Sequence, residues 1–153
     1  MSTVRIARVD GELDPSRRTI LETRVGGAVD AWIDGAYEGT YPRDDFAEAF
    51  ASFTKGAARR ARQDADLLSN AGVGLKVDDV RVVRRRLNLD VLGVAGRAVA
   101  VTARVDLVFE LIGDITRRDT ISGRLFLTFE KSDAAAGPAG WRVFGYALNR
   151  KEV

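Results

Sequence analysis

Between Val99 and Phe129 apolar side chains recur at every second position, and this alternation constrains the chain more than any other feature. Val99, Val101, Ala103, Val105, Leu107, Phe109 and Leu111 occupy the odd positions, with Thr102, Arg104, Asp106 and Glu110 between them. The same odd phase returns in Ile121, Leu125, Leu127 and Phe129, against Thr120, Ser122, Arg124, Thr128 and Glu130. Successive side chains of a strand point to opposite faces, so both segments read as strands with one dry and one wet face. A short turn near 113–116 makes them neighbours. The remainder of the chain must then supply a cover for the dry face.

That cover is expected to be helical. Asp14 and Pro15 form a helix start, with Asp as cap and Pro at the first helical position. Leu21, Val25, Ala28, Val29, Trp32, Ile33 and Ala36 follow at helical spacing, and the Gly26–Gly27 pair inside them points to close packing against a neighbour. A second helix is expected from about Pro42 to Phe53, with Phe46, Ala49, Phe50 and Phe53 on one side. A third begins near Thr54, carries Ala57, Ala58, Ala61, Ala65 and Leu68, and ends at Asn70 and Gly72 in a left-handed cap. Its other face, Arg59, Arg60, Arg62 and Asp66, reads as solvated. Residues 1–13 are an N-terminal arm or a short edge strand, and 14–150 a single domain, as 153 residues suit one core.

Four strands complete the expectation. In the first, Val80 and Val82 are apolar at even positions while Leu87, Leu89 and Val91 are apolar at odd ones, which predicts a β-bulge between residues 83 and 86. A turn at 93–97 leads into the second strand, a loop of small residues spans 132–140, and Trp141–Asn149 is the last strand. The fold class is therefore α+β, with N-terminal helices packed on a curved four-stranded antiparallel meander.

Composition removes several chemistries. The chain has neither Cys nor His, which excludes disulfides, thiolate nucleophiles, His-dependent triads and most zinc or copper sites. Lys and Arg number 24 against 22 Asp and Glu, a net charge of +2 that does not imply nucleic acid. No dinucleotide fingerprint or phosphate loop is present, and no metal or cofactor is expected. No run approaches the roughly 18 apolar residues of a membrane span. The reading is a cytoplasmic protein, or an extracytoplasmic domain whose anchor lies outside this chain.

The order helix, helix, long strands, ending in GRLFLTFEK, a loop and WRVFGYALNR, resembles the NTF2-like (SnoaL-like, cystatin-like) cone fold over about residues 16–150. That fold also serves periplasmic domains of conjugation and Mce-associated proteins. The resemblance implies a cone of helices and sheet around a possible pocket, and its members include ketosteroid isomerases, dehydratases, polyketide cyclases and domains without catalysis.

Three constellations follow. Arg85 shares the odd phase of Leu87 and Leu89, so it points inward and needs a carboxylate from protein or ligand, unless the bulge turns it to the rim. Trp32, Asp34, Tyr37 and Tyr41 cluster where the first helix ends. Packing is one reading of that cluster. The resemblance to isomerases and dehydratases implies the other, an Asp base with a Tyr hydroxyl donor at the mouth of a pocket that Phe46, Phe50, Phe53 and Trp141 either fill or line. On the outer sheet face, Asp106 opposite Arg124 and Glu130 opposite Arg142 set a register that places Phe126 beside Tyr146, near Phe144, Leu148 and Val108, with Arg104 over Phe126. This apolar group is a candidate dimer interface unless the N-terminal arm covers it. The leading expectation is a non-catalytic domain acting in protein interaction or assembly as a homodimer. The alternative is a binder of apolar small molecules, or a lyase or isomerase-type enzyme, that uses the cone pocket.

Overall fold

The computed structural model describes residues 2–132 and 139–153, so the loop expected at 132–140 lies mostly outside the described residues. Strand β1 (Thr3–Leu13) is followed by a 3-10 turn and helix α1 (Arg18–Ala36), then α2 (Lys55–Gln63) and α3 (Ala65–Leu68). Strands β2 (Val77–Gly113), β3 (Arg117–Glu130) and β4 (Gly140–Glu152) complete the chain. The sheet runs β1-β2-β3-β4, with β2, β3 and β4 successively antiparallel. The expectation of a wholly antiparallel meander is corrected at its first pair. Residues 3–13 form a strand, and β1 lies parallel to β2, with Val4 opposite Leu87 and Val9 opposite Val91. Parallel neighbours require a long crossover, which the helical segment between β1 and β2 provides. The fold is α+β on a mixed sheet. Among the described residues no helix is long and apolar enough to cross a membrane.

The core follows the alternation. Val101, Ala103, Val105, Leu107, Phe109 and Leu111 of β2 and Ile121, Leu125 and Leu127 of β3 are buried against Leu21, Val25, Val29, Trp32, Ile33 and Ala36 of α1. Val99 and Phe129, at the end of the same stripe, emerge at the surface. The close packing expected of the glycine pair holds at Gly26 alone: a Cβ there would lie 3.0 Å from Val4 Cγ2, so its absence lets α1 settle on β1, whereas a Cβ at Gly27 would meet nothing within 4 Å.

β2 spans 37 residues but is not straight. Arg84 and Asp106 lie 2.8 Å apart, and Arg104 and Asp90 3.1 Å, so its two halves run back past each other. The corner is at Ala95 and Gly96, whose positive φ angles (53° and 83°) make the turn expected at 93–97. The inward phase changes where expected: Val80, at an even position, packs on the core between exposed Asp79 and Arg81, whereas Arg85, Leu87, Leu89 and Val91 are buried odd positions, and Val82 and Val83 between them are both exposed. Register shifts occur in β1 between Ile6 and Arg8 and between Gly11 and Leu13, and in the β3–β4 pair at Phe126 and Leu127.

Two helical expectations are also corrected. Over 42–53 only a 3-10 turn, Ala47–Phe50, forms. The Asp45 carboxylate accepts from the Ala47 N–H, and Arg43 donates from Nε to the Asp45 carbonyl (2.9 Å) and through its other nitrogens to the carbonyls of Gly35 and Glu38. Side chains thus take the Asp45 carbonyl and the Ala47 N–H, which a helix would have paired. The third helix starts as expected, with Thr54 accepting from the Ala57 N–H, but breaks at Asp64 into α2 and α3. Asn70 is a buried hydrogen-bonding residue, not a left-handed cap.

Candidate functional site

Arg85 does point inward, and its side chain is only 4% exposed. The carboxylates it needs come from α1 and the residues just after it. Nη2 lies 2.7 Å from Asp30 and Nη1 2.8 Å from Asp34, and Nη1 also donates to Glu38. Nε donates to the Ser2 hydroxyl at 3.1 Å, and that hydroxyl donates to Asp30. The three acids stand four residues apart, so helical periodicity puts them in one row facing β2. Burial raises the Glu38 carboxyl above its ordinary range, an effect that Arg85 opposes and neighbouring Asp34 reinforces. The guanidinium is therefore satisfied by the protein itself, and the cluster fastens α1 to β2.

The aromatic residues of the expected pocket belong to the solid core. Trp32 donates from Nε1 to the Leu68 carbonyl (3.0 Å), and Tyr37 donates to the Leu67 carbonyl (3.0 Å). Tyr41 donates to the Tyr37 carbonyl (2.6 Å) and accepts from Asn70 Nδ2 (3.1 Å). The Tyr37 ring stacks on Phe109 at 5.2 Å and meets Trp32 edge-on at 5.4 Å. Burial pushes the Tyr37 phenol far above its usual titration range, so its proton is held in place. Asp34 and Arg85 thus come together, and Trp32, Tyr37 and Tyr41 come together, in two different places. Trp141 lies in a third, packed edge-on against Phe129 at 5.9 Å.

A second buried ion cluster escaped the sequence reading. Asp119 is fully buried and receives Arg150 (2.5 Å) and Arg117 (2.8 Å). Arg150 also donates to the carbonyls of Ser69 (2.8 Å) and Asp66 (3.1 Å) and to the Asn70 side chain (2.6 Å), and its guanidinium sits 5.7 Å from the Tyr37 ring centroid. It ties β4 to β3 and to the segment after α3. The signal was present for Asp119, which shares the odd, inward phase of Ile121 and Leu125.

The outer sheet face differs from expectation because of one bulge. Phe126 pairs with Gly145 and Leu127 with Val143, so Phe144 is an extra residue in β4. Beyond it the inward phase changes from Trp141 and Val143 to Tyr146 and Leu148, which pack on the core. The Tyr146 hydroxyl donates to Asp64, and its phenol is pushed up to about 12, chiefly by burial and then by that carboxylate. Tyr146 and Leu148 are thereby removed from the outer group. Val108 is buried within the monomer. The charge register also moves by two residues: Arg104 pairs with Arg124 and Asp106 with Ser122, while Thr128, not Glu130, faces Arg142. Arg104 makes its ion pair with Asp90, leaving Thr102 opposite Phe126. What stays outward is Phe126, half-buried, and Phe144, 52% exposed, with ring centroids 6.4 Å apart. Leu92 and Val94, two and four residues beyond Asp90 on the same face, are exposed as well.

No family model, no curated protein and no solved structure matches this chain.

Proposed function

We propose that this chain is a non-catalytic domain of the NTF2-like type, working in protein interaction or assembly and pairing with a second copy through the outer sheet face. The exposed Phe144–Phe126 pair carries the reading, because a large aromatic on the solvated face of a sheet is stabilised by an apolar partner. A second copy suits it better than a charged partner. Two flanking pairs, Arg104–Asp90 and Arg84–Asp106, are neutralised within the monomer, so a two-fold axis through the phenylalanines sets apolar on apolar and leaves exposed Arg124, which makes no ion pair among the described residues, to water. The non-catalytic part is supported by the fate of the candidate acid and phenols: Asp34 is ion-paired to Arg85, and the Tyr37 and Tyr41 hydroxyls donate to backbone carbonyls.

Phe144→Glu tests the interface. Burying a phenylalanine contributes about 1.5–3 kcal/mol, and tenfold in affinity corresponds to about 1.4 kcal/mol, so self-association is expected to weaken by about tenfold or more. Sedimentation equilibrium across a concentration series measures it. The melting temperature at low protein concentration is expected to hold, since Phe144 is exposed in the monomer. A wild-type protein that stays monomeric at tens of micromolar overturns the proposal.

A further inference from the structure

At the end of the sheet where β1 stops, β2 turns, β3 ends and β4 begins, two cavities of about 690 Å³ each meet along a shared wall of Arg24, Phe129 and Trp141. The first half of α1 closes one side with Arg17, Ile20 and Arg24; Arg97 stands at the corner of β2 and Arg142 at the start of β4. Each volume falls in the range of sites for small organic ligands, about 300–1,000 Å³.

Among the described residues the lining is largely apolar and its charged side chains are all arginines. Ile20 is 53% exposed and Phe129 43%, both large apolar surfaces open to the groove. Among the described residues four arginines line the two cavities and no carboxylate does, although acids and bases are nearly balanced in the whole chain. Arg17 has a distant partner in Asp14 at 4.0 Å, whereas Arg24 and Arg97 make no ion pair among the described residues. Trp141 adds an independent pointer to a ligand. Only 7% of the residue is exposed, yet its indole N–H has no acceptor among the described residues and is not sealed from solvent. A tryptophan buried to this degree ordinarily pairs its N–H, as Trp32 does with Leu68.

From these observations we infer that the groove binds an organic anion of the fatty-acid class. Its carboxylate is held by Arg24, Arg97 and the Trp141 N–H, and its chain lies on Ile20, Phe129 and Trp141. Guanidinium forks match a carboxylate's two oxygens, and the apolar wall matches a chain. Phe129 and Trp141 meet edge to face, which suits a flexible chain better than a stacked nucleic-acid base. This inference is independent of self-association, because none of these residues lies on the Phe126–Phe144 surface.

The experiment is displacement of anilinonaphthalene sulfonate by dodecanoate, with dodecanol as its uncharged counterpart, at fixed ionic strength. Dodecanoate is expected to displace the dye at micromolar concentration, about tenfold or more better than dodecanol. In the double variant Arg24→Gln/Arg97→Gln, dodecanoate is expected to lose about that advantage while dodecanol is unaffected. Both arginines are exposed, so the variant is expected to melt as the wild type does. The Phe144→Glu protein is expected to bind dodecanoate normally, which separates this site from the proposed interface. No displacement by dodecanoate, equal displacement by the two compounds, or undiminished dodecanoate binding by the double variant overturns the inference.

Discussion

Asp119→Ala is expected to destabilise the fold by about 3–5 kcal/mol, because it leaves two guanidiniums without the carboxylate between them. Arg150 suffers most. Its side chain is 6% exposed, and after the substitution only Asn70 and two carbonyls remain to it. Arg117 keeps Glu152 at 3.1 Å and can turn to water, so its share is smaller. For a chain of this length the cost corresponds to a fall in melting temperature of roughly 6–20 °C. Urea denaturation followed by circular dichroism measures it directly. A double variant, Asp119→Leu/Arg150→Met, separates charge from packing. A buried ion pair adds little over well-packed apolar groups, whereas half of one is costly, so the double variant is expected to be more stable than Asp119→Ala. A double variant that costs the sum of the two single ones shows that Asp119 and Arg150 act independently, against the cluster described above.

That cluster marks where the sequence could be read and where it could not. Period-two alternation made the inward faces of β2 and β3 legible, because a half-buried strand has one pattern that works. The same phase placed Arg85 inside and required a carboxylate for it. Which carboxylate was not legible: Asp30, Asp34 and Glu38 lie about fifty residues earlier, and only the packing of α1 on β2 brings them to the guanidinium. In β4 the reading failed by one residue. With Phe144 as a bulge, every later side chain changes face, which moves Tyr146, Leu148 and Arg150 to the core side and dissolves most of the expected outer patch. Gly145 was the available signal, since a glycine within a strand often marks a bulge. β1 hid its own slip in the same way: Ile6 is buried and Val9 half-buried, on opposite parities, because the register shifts between Ile6 and Arg8. The parallel pairing of β1 had no local signature at all. It depends on the helical crossover, a tertiary outcome. Over 42–53 a pattern of phenylalanines suggested a helix, but Arg43 and Asp45 bind the backbone that the helix needed.

Arg85→Met is expected to cost about 1.5–3 kcal/mol at pH 7, the range for hydrogen bonds to charged groups, and the cost is expected to shrink on acidification. Methionine keeps the apolar stem but leaves Asp30, Asp34 and Glu38 as like charges in one row, without their cation. The sign follows from Glu38. Its carboxyl titrates above the ordinary value in the folded protein because burial outweighs the attraction of Arg85. A folded-state value above the unfolded one means that the native state holds more protons in that window, so Glu38 makes stability fall as pH rises through it. Loss of Arg85 removes the force that opposes burial, raises the folded value further and widens the window upward. The cost of an ionised, half-buried Glu38 therefore grows as pH rises through that window, so the variant's deficit is larger at neutral pH than in acid. As pH falls toward the ordinary carboxylate range, near 4, protonation relieves the repulsion and the variant approaches the wild type. Urea denaturation of both proteins at several pH values between 7 and 4.5 measures the difference. A deficit that is constant over that range, or that grows toward acid, shows that Arg85 acts by packing and not by charge. Adding Glu38→Gln to Arg85→Met is expected to restore part of the stability at pH 7 and to flatten the pH dependence, because the carboxyl that creates the window is gone.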